Sequence, residues 1–397
     1  MVVNMRVIIY ILLLIIFASP NFYYNSHFLA RLTDLFTMLL MFSYIIFNIK
    51  FLKSSKEILK YIFCATLFLL SIFTSLLLAS TAQDIILQDF FDLYRPMVII
   101  ISLLFGVAIA NRGINYYNIG SFIICLGVIA SIVAFLEKIG FDIFYYLYSN
   151  ENFAKDNRVS SIYYDFAEFG VMQLLATSFS LERYLKTKNK RYILYIFIFI
   201  ISVILSTSKA AILLFILFFC LYFLFNAKKI ILKLKNTLYF LILIVIFTLF
   251  IFIYFNYGDK TVITGFNAIF NFNIGHPSVG NRIEQINIVV SSIINNFNLN
   301  TLFGYSSFRG SESSYIEVTF FLFLFRFGII GIMFYYGLFL FIVFSKNKKL
   351  FFIKLVIISS LLLDCVSQIT DRFSFPIIIF IMVGILSAEN LKIKHIK

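Results

Sequence analysis

The sequence predicts an all-α, polytopic integral membrane protein of about twelve transmembrane helices, with a large late extracytoplasmic loop that carries amphipathic surface helices. Three observations predict it. Of the 397 residues, 61% are hydrophobic and only 13% charged, and the mean hydropathy is +0.97, so there is too little charge to cover a soluble globule. The apolar residues fall into runs of 15–21, most of them separated by short polar turns. The charges of those turns alternate along the chain. With the N-terminus inside, inner segments hold 22 of the 33 Lys and Arg and three acids (Glu57, Glu182, Glu389), a net of +19. Outer segments hold the other 11 bases and 16 acids, a net of −5. That is the positive-inside pattern with both termini cytoplasmic. The excess of +14 is therefore a topology signal, which argues against nucleic acid as a partner and makes the lipid bilayer the first one.

The elements follow in order. Residues 2–18 open with Arg6 and end at Phe17-Ala18-Ser19-Pro20, a pattern shared with signal peptides but read here as an uncleaved first span. Runs at 33–49 and 61–80 flank the lysines of 50–60. The run at 96–110 is short and starts at Pro96, which places Arg95 below the usual membrane surface. After 116–136 comes an outer segment, 137–168, too long to be a connector and rich in aromatics. Runs at 167–181, 192–206 and 210–226 follow, the last two joined only by Ser206-Thr207-Ser208-Lys209. Lys209 reads either as a snorkelling residue or as a contributor to a positive outer cavity. A run at 237–255 precedes the large outer loop, 256–327, and runs at 328–344, 350–366 and 373–388 complete a single membrane domain, 1–397. Cys64, Cys125, Cys220 and Cys365 lie inside apolar runs without paired spacing, so they read as packed thiols rather than disulfide or metal ligands.

The stretch 280–331 departs from this monotony. Asn281-Arg282-Ile283-Glu284 and Ser314-Tyr315-Ile316-Glu317 each have the form of a capping box, predicting two helix starts. Ile283, Ile286, Val290, Ile293 and Phe297 recur at helical spacing opposite Arg282, Asn287, Ser291 and Asn295, as in a helix lying on a membrane. Leu302-Phe303-Gly304-Tyr305 reads as a turn. The apolar run 315–344 spans about 45 Å as one helix, too long for a single crossing, so a break is expected near 328–331, with Arg326 at the outer boundary.

The kind of base differs between the two sides. Inside stand 18 Lys and 4 Arg; outside stand 7 Arg (Arg31, Arg95, Arg158, Arg282, Arg309, Arg326, Arg372) and 4 Lys. Each arginine either pairs with one of the outer acids or belongs to a site for a phosphate or carboxylate, which a planar bidentate donor suits. The set favours the anion site. Asp364, an acid within an apolar run, is a functional candidate whose alternative is a pair with Arg372.

In the order of its motifs the chain resembles the O-antigen polymerase and ligase superfamily of bacterial envelope polysaccharide assembly. The resemblance rests on RVSSIYYDFAEFG at 158–170, STSK at 206–209, LFGY at 302–305, SESSYIE at 311–317 and GIIG at 328–331, and on the overall span pattern. It implies metal-independent, cofactor-free glycosyl transfer on the outer face of the cytoplasmic membrane, from a polyprenyl-pyrophosphate-linked oligosaccharide. A flippase and a chain-length regulator are the implied protein partners. Ligases commonly carry His where this chain has Glu312, which favours a repeat-unit polymerase. Many members carry Arg where Lys209 stands.

Cleaving a glycosyl–pyrophosphate bond needs cations at the leaving phosphate and a base at the attacking hydroxyl. The catalytic candidates are Arg158 and Arg282 for the pyrophosphate and Glu312 for the base. The substrate-binding candidates are Arg309, Arg326, Tyr315, Arg95, Lys209, Glu317, Asp364 and Arg372, and no metal ligand is assigned. Glu317 and Glu284 already have capping roles, and His276 is a loop residue beside Pro277. The competing readings are a ligase that delivers the finished glycan, and a lipid-linked oligosaccharide flippase or transporter, which would show repeats and interrupted midplane spans.

Overall fold

Without water to bond their peptide groups, long apolar segments satisfy their backbones internally, and helices result. The computed structural model describes residues 5–18, 27–49, 56–80, 92–141, 159–163, 166–231, 277–295, 298–305, 316–367, 369–370 and 374–396, and among these no strand forms. The helices are α1 (Met5–Phe17), α2 (His27–Phe47), α3 (Lys56–Ser80), α4 (Tyr94–Asn111), α5 (Tyr116–Lys138), α6 (Phe166–Thr187), α7 (Arg191–Leu205), α8 (Lys209–Ile231), α9 (Pro277–Asn295), α10 (Leu299–Phe303), α11 (Thr319–Val343), α12 (Phe351–Leu363) and α13 (Ser374–Ile396). Every apolar run named above coincides with a helix except 237–255, which lies outside the described residues. Among the described residues six segments are long and apolar enough to cross a membrane: Lys56–Leu78, Tyr94–Asn111, Tyr116–Lys138, Lys209–Asn226, Thr319–Val343 and Ser374–Leu391.

Two helices lie deepest. The side chains of α13 from Ile377 to Met382 have no solvent exposure, and α13 runs closely along α4. Glycines make that approach possible: a Cβ at Gly106 would collide with the Ile381 carbonyl, and one at Gly384 with the Leu103 carbonyl. The second deep helix, α6, is buried from Phe169 to Glu182 and packs on α5, α7 and α8. Its polar groups bond across the helices: Gln173 Nε2 donates to the Gly127 carbonyl at 3.1 Å. Beside it Ser131 of α5 donates to Ser202 of α7 at 3.2 Å.

Polar contacts between helices also gather at two opposite ends. At one end the Tyr116 N–H, in the first turn of α5, donates to Glu389 at 2.8 Å, and Lys349 meets the same carboxylate at 2.9 Å. Glu182 pairs with Lys186 at 2.6 Å and accepts from the Tyr116 hydroxyl. Two of the three acids assigned to the inner side are thus held there by lysines and by α5. The other end holds Asp92, Arg95, Glu137, Ser161, Arg326 and Asp364.

Both expected capping boxes are corrected. α9 starts at Pro277, a residue suited to the first helical position, so Asn281 and Glu284 lie inside it. α11 starts at Thr319 after Val318, which supplies no side-chain cap, so Glu317 precedes the helix. The apolar stripe of α9 holds in part: Ile283, Ile286 and Ile293 are half-buried opposite exposed Asn287 and Ser291, but Val289 is the buried member and Val290 is exposed.

Candidate functional site

The expected break in the long apolar run forms at Gly328. Its φ of 65° and ψ of −172° interrupt α11, a conformation essentially confined to glycine. Interruption releases carbonyls that a continuous helix would use, and two of them find outside donors. Ser75 Oγ of α3 donates to the Arg326 carbonyl at 2.9 Å. The Tyr305 N–H donates to the Phe325 carbonyl at 2.8 Å.

The break sets Arg326 against the start of α4. Arg326 is 6% exposed, and its Nη1 lies 3.6 Å from Oδ2 of Asp92, which has no solvent exposure. The other carboxylate oxygen of Asp92 lies 3.2 Å from Arg95 Nε. The Arg95 guanidinium in turn lies over the Phe323 ring, 5.1 Å from its centroid. Two arginines more than two hundred residues apart therefore converge on one buried carboxylate. Truncating one member of such a buried pair costs about 3–5 kcal/mol, because the partner is left charged and dry. Asp92 was not among the sequence candidates. The signal available was its position three residues before Arg95, just ahead of a helix that carries Pro96 in its first turn.

A short helix closes over the break. Asn298 caps α10, its side chain accepting from Asn300 N at 2.9 Å, and the helix ends at Gly304 with φ 101°. A Cβ at Gly304 would strike the Arg326 carbonyl, and one at Gly328 would strike the Leu302 carbonyl. The two glycines let two backbones touch, and the expected 302–305 turn is the piece inserted.

α9 completes this end. Gln285 Oε1 accepts from the Glu317 N–H at 2.9 Å, and Arg282 Nε lies 3.7 Å from the Glu317 carboxylate, a loose pair. Glu317 thus anchors α9 rather than capping α11. Lys209 opens α8 just after a turn with Thr207 at φ 54°, and Ser208 Oγ accepts from Ala211 N. Asp364, at the end of α12, is fully buried. It accepts from the N–H groups of Ile369 and Thr370 at 3.1 and 2.9 Å, from the Thr370 hydroxyl, and from Tyr336 at 3.2 Å. Those bonds account for Asp364 as the knot of a turn. Arg158, Arg309, Glu312, Tyr315, Arg372 and His276 lie outside the described residues.

Of the sequence candidates, then, Arg95 and Arg326 share one carboxylate, Arg282 and Glu317 meet at α9, Asp364 ties its own turn, and Lys209 opens α8. Among the described residues no group of three or more His, Cys, Asp or Glu side chains assembles. What the cluster offers is two guanidinium groups held in a buried place, a donor type that suits phosphate and carboxylate oxygens. No family model, curated protein or solved structure matches the chain.

Proposed function

We propose that the chain polymerises lipid-linked oligosaccharide repeat units into a surface polysaccharide, such as O-antigen or capsule, on the outer face of the bacterial cytoplasmic membrane. The observation that supports this reading is the convergence of Arg95 and Arg326 on buried Asp92, at the end of the bundle assigned to the outside by charge. A polyprenyl-pyrophosphate donor presents an anion of the kind that guanidinium groups bind. In the reaction an acceptor sugar hydroxyl attacks the anomeric carbon of the donor. The carbon–oxygen bond to pyrophosphate breaks, and the leaving oxygen takes the electron pair as negative charge. Arginines at the pyrophosphate stabilise that charge, with Arg282, Arg158 and Arg309 completing the set. Glu312 takes the hydroxyl proton.

The test is the surface polysaccharide profile of a deletion strain complemented with wild type or with Glu312→Gln. Loss of the polymer ladder with a single repeat unit still attached supports a polymerase. Loss of all attachment makes the protein a ligase, and accumulation of lipid-linked units on the inner leaflet makes it a flippase.

A further inference from the structure

The Arg326 side chain leaves the backbone two residues before the break, so its direction depends on what fixes that unwound segment. Three contacts of one residue do so. The Tyr305 N–H holds the Phe325 carbonyl at 2.8 Å, and the Tyr305 ring stacks on the Phe325 ring with centroids 5.5 Å apart and planes 20° apart. The Tyr305 hydroxyl then reaches away from α11 and donates to the Ser292 carbonyl of α9 at 2.8 Å, with Thr301 Oγ1 3.3 Å away. One tyrosine therefore touches the helix carrying Arg282 and the segment carrying Arg326. Gly304, immediately before it, packs against the Arg326 carbonyl too closely for any side chain.

We propose that Tyr305 is a positioning residue that links α9 to the break in α11, so that the arginines on the two elements are brought to one anion together. The proposal rests on reading this end of the bundle as a pyrophosphate site. It makes the hydroxyl the coupling part. The ring and the N–H hold the break, whereas the hydroxyl sets α9 relative to it. Phenylalanine at this position keeps the first two contacts and removes the third.

The experiment uses the purified full-length protein in detergent, with inorganic pyrophosphate as the probe and calorimetric titration as the readout. Wild type binds and Arg326→Lys binds far more weakly; failure of the wild type to bind removes the pyrophosphate reading itself. Given binding, Tyr305→Phe is expected to weaken affinity by about threefold to thirtyfold, the size of coupling one residue between sites carries. Its melting temperature stays close to that of the wild type. Unchanged affinity in a folded Tyr305→Phe protein overturns the proposal, as does a fall in melting temperature with affinity intact, which is a purely structural role. Hydrogen exchange on the wild type decides the case without any variant. Pyrophosphate should slow exchange in 277–295 and 298–305 together with 325–331. Protection confined to 325–331 refutes the coupling.

Discussion

Alanine at Gly328 and alanine at Gly337 should move stability in opposite directions, although both glycines lie within α11. At Gly328 two costs add. The backbone at φ 65°, ψ −172° lies where alanine costs about 1–3 kcal/mol. Its Cβ would also press on the Leu302 carbonyl and the Gly304 nitrogen, both backbone, and overpacking of that kind costs about 1–3 kcal/mol more. The sum, about 2–6 kcal/mol, is a large part of the 5–15 kcal/mol by which folded proteins are stable. At Gly337 a Cβ meets nothing within 4 Å, and replacing a helical glycine gains up to about 1 kcal/mol. At roughly 2 °C per kcal/mol for a chain of this size, Gly328→Ala lowers the melting temperature by about 4–12 °C and Gly337→Ala raises it by about 2 °C. Thermal unfolding of the purified proteins in one detergent reads both. A rise for Gly328→Ala matching that of Gly337→Ala means that α11 is unbroken, and the account of Arg326 falls with it.

The other expectations concern charge and topology. Cysteine introduced at Ser278 labels with an impermeant thiol reagent in intact cells, and cysteine at Lys229 does not; the reverse pattern inverts the bundle. Arg282→Lys keeps the charge but loses the fork, and should cut polymer yield while Glu317→Gln, which removes a loose, exposed partner, leaves most of it. Full ladders from Arg282→Lys reduce that pair to an ordinary ion pair. Asp364→Ala leaves the Ile369 and Thr370 N–H groups buried without their acceptor, at about 1–3 kcal/mol each, and should lower membrane abundance before any activity is measured. Wild-type abundance and melting temperature in Asp364→Ala would contradict the role of Asp364 as a structural knot.

How far sequence reasoning reached depended on whether the cause was local. Apolar runs became helices because a run of such length has few alternatives in lipid. The break at Gly328 was legible because 30 apolar residues overshoot a bilayer and glycines marked the excess. Arg95 and Arg326 stood out as guanidiniums at span boundaries. Their meeting on Asp92 did not, since α3, α4, α10 and α11 must pack before the three side chains approach. Helix starts failed for a different reason. Asn-x-x-Glu and Ser-x-x-Glu are cheap patterns, and Pro277 and the extended residues before Thr319 overrode them. Tyr305 looked like a turn residue, and only tertiary structure gives its hydroxyl the carbonyl of Ser292.

The close embrace of α4 by α13 also has a consequence in time. α13 leaves the ribosome after every other described helix, yet it fills the most secluded place. At about 5–20 residues per second its 23 residues take about 1–5 s to synthesise. Until then the flank of α4 at Gly106 faces lipid, or whatever protein is nearby, instead of the Ile381 carbonyl. A nascent chain of this protein therefore holds an open groove on α4 for as long as α13 is being made. A bulky substitution at Gly384, where even a Cβ meets the Leu103 carbonyl, would prolong that state and present the cell's membrane proteases with a bundle open along one helix.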